Sequence, residues 1–167
     1  MSQSLVPDSG ARPLTVRRFK PTDADRVWEV HKTAIEDSPL PFVSKPSFDA
    51  DLRNIPEHYF EAGGTFLVGC LDGTVIATGG MAPTQEHAIE LRRLRVMPKH
   101  QQKGYGTALL EKLEGFARRQ AFDRITLHTD DVLTVAQSLY EDNGYEETHR
   151  EPHPILDGEV IFYEKPL

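Results

Sequence analysis

The sequence predicts a single α/β domain: a mixed, mostly antiparallel sheet with one splayed parallel strand pair and flanking helices. Three observations predict it. Strand-like runs flank Asp72-Gly73, the strongest short hairpin signal in the chain, and two more strands are expected as an antiparallel hairpin around Asp157-Gly158, so several neighbouring strands run antiparallel. An amphipathic stretch over 104–120 lies between two strand-like runs and makes the right-handed crossover of a parallel pair. The strand that enters this crossover carries a phase slip, because Ile89 and Leu91 alternate and then Leu94 and Val96 do. An extra residue near Arg92 and Arg93, a β-bulge, reconciles the two phases and splays the strand from its neighbour.

The elements follow in order. Residues 1–13 mix Ser, Pro, Gly and charge without periodicity and read as a flexible leader, with the domain itself expected over 14–167. Leu14, Val16 and Phe19 mark a first strand, and Pro21-Thr22-Asp23 opens a helix whose Ala24, Val27, Trp28, His31, Ala34 and Ile35 recur at helical spacing. Three prolines between Ser38 and Pro46 break that helix, and a second helical stretch falls within 48–61, before Gly63-Gly64. Strands at 65–71 and 74–81 flank the first hairpin. Leu109, Leu110, Leu113, Phe116 and Ala117 give helix 104–120 its buried stripe, and Ile125 and Leu127 mark the next strand, 124–129. Thr134 and Gln137 have the spacing of a capping box for a short helix through Tyr140, stopped by Asn143-Gly144. Strands at 145–150 and 159–165 close the sheet.

Composition bounds the function. A chain of 167 residues with 38% hydrophobic content buries one sizeable core. Its formal charge of -7 argues against a general nucleic-acid binder and suits a cationic amine. Cys70, the one cysteine, rules out an internal disulfide framework and a cysteine-based zinc cluster, and the seven histidines show no ligand spacing, so no metal is expected. No apolar run approaches the ~20 residues of a membrane span, and the N-terminus lacks a basic region followed by an apolar core. The cytoplasm is the default location, without a membrane partner.

Gly104 and Gly106 open the long helix, where unpaired N–H groups and the positive end of the helix dipole bind phosphates. The pattern is not a dinucleotide fingerprint, whose third glycine place is Leu109, nor a P-loop, because Lys103 precedes Gly104. A dinucleotide-dependent redox protein is correspondingly disfavoured.

Gln101-x-x-Gly104-x-Gly106, preceded by Leu94-x-Val96-x-Pro98 and followed by Ala108-Leu109-Leu110, resembles the acetyl-CoA-binding motif of the GCN5-related N-acetyltransferase (GNAT) family. Ala136-x-x-x-Tyr140-x-x-x-Gly144-Tyr145 resembles that family's second signature. The likeness spans 14–167 as a succession of elements and is sharp over 89–145. It implies the GNAT fold, acetyl-CoA as co-substrate, and transfer of an acetyl group to a primary amine of a small molecule or a protein by direct attack in a ternary complex. It further implies a coenzyme site at Leu94, Arg95, Val96, Gln101, Gln102, Lys103, Gly104, Tyr105, Gly106 and Thr107, with the pyrophosphate on the amides of 102–107 and the Val96 N–H polarising the acetyl carbonyl. One departure stands out: Leu133 occupies a place where many relatives carry a coenzyme-contacting asparagine, with Thr129 or Asp131 as polar substitutes.

Acyl transfer to an amine needs a group that takes the ammonium proton and another that protonates the leaving thiolate. Tyr140 matches the family's tyrosine, and a phenol of pKa about 10 stays protonated at neutral pH, so it is the candidate acid; outside the motif it would read as a helix-face aromatic. Glu90 lies fourteen residues before Gly104, where several family members place a glutamate that receives the amine proton through water. It reads equally as an exposed strand carboxylate, with Glu86 and His87 as substitutes and solvent as the alternative acceptor. Arg92, Arg93 and Arg95 fit either a clamp for a substrate carboxylate or a solvated strand face, and solvation is favoured. Lys99, His100 and Lys103 lie near enough to meet phosphates, while Trp28 and Cys70 read as core. A non-catalytic acyl-CoA-binding sensor or docking module on the same fold is the competing reading. The loops at 39–48 and 151–157 would bound the acceptor, and neither acceptor identity nor a homodimer is encoded in them.

Overall fold

Alternation in sequence becomes alternation of faces from Leu14 onward, where Leu14 and Val16 are buried and Thr15 and Arg17 take the more exposed side. The structure, a computed structural model, describes residues 3–5, 12–85 and 87–167. The rest of the 1–13 segment read as a leader, and Glu86, lie outside the described residues. Gln3–Leu5 (β1) pairs antiparallel with Leu14–Arg18 (β2).

The chain continues through α1 (Ala24–Glu36), α2 (Pro46–Arg53), a π-turn (Pro56–Phe60), β3 (Thr65–Leu71), β4 (Thr74–Gln85) and β5 (Ala88–Val96). It then forms α3 (Tyr105–Arg119), β6 (Arg124–Asp130), α4 (Thr134–Asp142), β7 (Glu146–Pro152) and β8 (Glu159–Pro166). Among the described residues the strands make one sheet in the order β1-β2-β3-β4-β5-β6-β8-β7, and only β5 and β6 run parallel. The β3–β4 turn places Asp72 at φ 50° and Gly73 at φ 81°, the double positive φ that a two-residue hairpin demands. Helix α3 covers one face over β2–β5, and α1 covers the other over β4 and β5. Between these layers Phe66, Met81, Ile89, Leu109, Leu110, Leu113 and Ile125 lose all exposure, each worth ~2 kcal/mol of burial.

The feature that shapes the site is the bulge. Gly80 pairs with Arg92 and Thr78 with Arg95, so Arg93 and Leu94 together oppose Gly79. Arg93 takes φ 59°, and its carbonyl accepts a hydrogen bond from Thr78 Oγ1 at 2.8 Å. Both facing glycines are needed: a Cβ on Gly79 would stand 2.7 Å from Leu113 Cδ1, and one on Gly80 would stand 2.6 Å from Tyr59 Cε1.

Three expectations need correction. Thr134 is not a cap: the N-cap is Leu133, and Gln137 Nε2 donates to the carbonyls of Asp130 and Asp131 instead. The single helical stretch over 48–61 is two pieces, because Asn54 leaves helical geometry and Pro56 has no N–H to continue the ladder. The β5 arginines are not simply solvated: Arg92 pairs with Glu90, Arg93 Nη2 meets Asp51 Oδ1 at 2.7 Å, and Arg95 is half-buried.

Candidate active site

Past Glu90 and Thr126 the parallel ladder stops; β5 continues to Val96 and β6 to Asp130 without pairing with each other. The bulge bends β5 off the shared plane, and the strands open as a wedge. Met97 N donates to Ile76 O at 2.8 Å, and Thr78 pairs with Arg95. Antiparallel ladders alternate, so Arg95 spends its backbone N–H and C=O on β4 while Val96 turns its N–H toward the wedge. The Val96 carbonyl accepts from Gln101 Nε2 at 2.9 Å, which ties the following loop to the strand end.

That loop carries positive φ at Gln102 (58°) and Gly104 (85°), an alternation that points successive amides into one concavity. Ala108 is the first residue whose N–H closes on the turn, to Gly104 O at 3.0 Å, so the amides of Tyr105, Gly106 and Thr107 project from the helix end. Partial burial and then Lys103 and Lys99 hold the His100 pKa below its ordinary value, a sign of positive potential over this end. Amide concavity and wedge together fit a diphosphate followed by a thin extended arm, the shape of coenzyme A.

A cleft of about 560 Å³ joins these parts, bounded by the end of α1, the end of β5, the glycine loop and α4. Of the residues read from sequence, Leu94, Arg95, Val96, Gln101, Gln102, Gly104, Gly106, Thr107 and Tyr140 line it. Lys103 lies outside it, and Tyr105 turns its ring into the core with its hydroxyl on Arg12 O at 2.9 Å, leaving only its backbone at the loop.

Tyr140 stands on α4 with its ring edge-on to Tyr145 and tilted against Tyr163, centroids 5.9 and 6.1 Å away. Both neighbours have their hydroxyls engaged, Tyr145 on Glu114 at 2.8 Å and Tyr163 on Glu141 at 2.7 Å. The Tyr140 hydroxyl has no hydrogen-bond partner among the described residues and faces the cleft. Burial raises its pKa, partly opposed by Arg95, so the phenol holds its proton.

Glu90 stands at the crotch of the wedge, paired with Thr126, and its carboxylate takes the Arg92 guanidinium. It lines a second cavity of about 310 Å³ on the same sheet, together with Thr126, Thr148, His149 and Phe162, rather than the cleft that holds Tyr140. At Leu133 the backbone N–H donates to Asp130 O and the side chain lines the cleft; Asp131 is spent on the Glu159 N–H at 3.0 Å. Trp28 packs against His31 and Phe42, and buried Cys70 has its thiol pKa raised by desolvation.

Two groups escaped sequence reasoning. His153, from the β7–β8 connection, sets Nε2 3.1 Å from Asp130 Oδ1 at the end of β6. His31 lies buried under Arg93 and Arg95 with its Nδ1 unpartnered among the described residues, and its pKa is held down to about 4. The helical stripe already put His31 on the buried face, but its arginine neighbours, like the Asp130 partner of His153, are met only through the tertiary fold.

Comparison with known proteins agrees with this geometry. Residues 27–145 match the family model described as the acetyltransferase (GNAT) family. N-acetylaspartate synthetase of Rattus norvegicus is 29% identical over 113 residues, covering 66% of this chain and 38% of that protein. N-acetyltransferase family 8 member 2 of the same species is 32% identical over 104 residues, covering 59% of this chain and 46% of that one. The chain thus spans less than half the length of these curated relatives. Among solved structures, an acetyltransferase of the GNAT family from Staphylococcus aureus Mu50 superposes with a TM-score of 0.83 at 23% identity, covering 92% of this chain and 99% of that one. A putative acetyltransferase from Salmonella typhimurium, solved with its cofactor acetyl-CoA, superposes with a TM-score of 0.76 at 20% identity, covering 92% and 94%. With a family model matched across most of its length and a bulged strand splayed from its parallel neighbour, this chain belongs to the GNAT family of acetyltransferases.

Proposed function

We propose that the protein transfers an acetyl group from acetyl-CoA to a primary amine by direct attack in a ternary complex. The observation that carries this reading is the convergence of three groups on one cleft: the projecting amides of Tyr105, Gly106 and Thr107 at the helix end, the free Val96 N–H and the unpartnered Tyr140 hydroxyl. The structure solved with acetyl-CoA and the relatives named as N-acetyltransferases support it.

The coenzyme, when bound, supplies an activated thioester. The amides of Gln102–Thr107 hold its diphosphate, and Leu94 and Val96 line its arm in the wedge. Val96 N–H donates to the carbonyl oxygen as that oxygen gains charge during attack. Tyr140 donates its proton to the sulfur as the C–S bond breaks. Glu90, paired with Arg92 in the neighbouring cavity, receives the amine proton through a chain of water from the cleft. No bond to the enzyme forms. Acceptors named among the relatives and solved neighbours include aspartate, by the synthetase's name, and a ribosomal-protein alanine, so small amines and protein amino groups are both within the family's range.

Titration calorimetry with acetyl-CoA, followed by a thiol-release assay over an amine panel, tests the proposal. Coenzyme binding with release of thiol supports it. Tight binding with no turnover on any amine would favour the sensor reading, and absence of both would overturn it.

A further inference from the structure

We propose that the amine acceptor carries a carboxylate beside its amino group, and that the Arg95 side chain binds it; this rests on the acetyl-transfer reading of the cleft. The three β5 arginines end differently. Arg92 has Glu90, and Arg93 has Asp51, while Arg95 forms no ion pair among the described residues. Its Nη1 donates to its neighbour's carbonyl, Leu94 O, at 3.0 Å, which fixes the guanidinium plane. The opposite edge, Nε and Nη2, is then left; Nε is shielded from solvent and has no acceptor. Asp130, the carboxylate in closest electrostatic reach, is taken by His153.

A guanidinium whose Nε has lost both water and an acceptor, with no counter-charge beside it, is costly, and folds that keep one have a reason for it. A small shift of the side chain that uncovers Nε presents Nε and Nη2 as two parallel N–H donors, the geometry that matches the two oxygens of a carboxylate. Its direction separates it from the coenzyme. Leu94 Cδ1 and Val96 Cγ2 lie toward α3, beside Gly79 and Gly106, so strand alternation sends Arg95 to the opposite face, where α1 presents His31. The diphosphate site lies at the α3 end. Because Arg95 immediately precedes the Val96 N–H that would face the reacting carbonyl, amine and carboxylate must sit close together. That describes a small amino acid; an internal protein lysine, flanked by peptide amides, carries no such group.

The test needs no turnover. Calorimetry on the protein saturated with coenzyme A, as a dead-end complex, compares the twenty standard amino acids with the amides and decarboxylated amines derived from those that bind, and with phosphoethanolamine. At least one amino acid should bind ten times more tightly than its amide and its amine, and Arg95→Gln, likewise saturated with coenzyme A, should abolish that preference. Arg95→Lys should recover part of it. Binding of none of the amino acids, equal binding of acid and amide, tighter binding of phosphoethanolamine, or an Arg95→Gln defect confined to acetyl-CoA affinity would each overturn the proposal. Failure of acetyl-CoA itself to bind the wild type would instead sink the acetyl-transfer reading.

Discussion

Thr78 holds the bulge by its hydroxyl: Oγ1 donates to the Arg93 carbonyl at 2.8 Å, from the strand whose ladder the extra residue interrupts. A carbonyl displaced from its ladder and buried needs another donor, and Thr78, 1% exposed, supplies it. Thr78→Val keeps the volume and removes the donor. It should cost about 1–3 kcal/mol, read as a lower urea midpoint, and weaken acetyl-CoA binding as the wedge relaxes. An unchanged midpoint would contradict this role.

Two glycines of one motif should respond oppositely. Gly104 sits at φ 85°, so Gly104→Ala forces a left-handed alanine and should lower stability by about 1 kcal/mol while disturbing the amide concavity. At Gly106 an added Cβ meets Leu139 Cδ2 at 3.5 Å and Val96 Cγ2 at 3.8 Å, ordinary contacts inside a helix. Gly106→Ala should therefore hold or raise stability, by up to ~1 kcal/mol. Thermal unfolding of the pair distinguishes them.

Acid should weaken the fold through His31. Burial is the main cause of its low pKa, helped by Arg95 and Arg93 and opposed by Asp51 and Asp49, with the rings of Trp28 and Phe42 alongside. The folded value is about 4 against an ordinary 6.5, so between those values the unfolded chain binds the extra proton. Stability is complete above pH 6.5 and declines as pH falls toward 4, by on the order of 2–3 kcal/mol from this residue. Denaturation across that range should show the slope in the wild type and a flatter one in His31→Leu.

The proton donor and acceptor separate kinetically. Tyr140→Phe should lower kcat by roughly 100-fold with acetyl-CoA affinity within a factor of three, since the ring contacts with Tyr145 and Tyr163 survive. Glu90→Gln should depress kcat/KM most at low pH, where less free amine is present. A Glu90→Gln profile that overlays the wild type assigns the amine proton to solvent.

How much of this was legible in the sequence follows from the range of the forces involved. Hairpins, the α3 stripe and the bulge are local, and the Leu91-to-Leu94 phase slip located the bulge within a residue of Arg93. The motif glycines likewise marked the loop. What escaped was set by partners distant in sequence: Arg93 meets Asp51 from α2, His153 reaches Asp130, and Arg95 is sheltered by elements on both sides. Alternating arginines look solvated when only their own strand is considered. Gln137 resembled half of a capping box because spacing does not reveal that the carbonyls of Asp130 and Asp131 lie within its reach.

The most direct measurement is a crystal structure of the protein with acetyl-CoA. The expected result places diphosphate oxygens about 3 Å from the amides of Gln102–Thr107, the arm between β5 and β6, and the thioester between the Val96 N–H and the Tyr140 hydroxyl. A coenzyme bound elsewhere, or β5 and β6 closed against each other beyond Glu90, would contradict it.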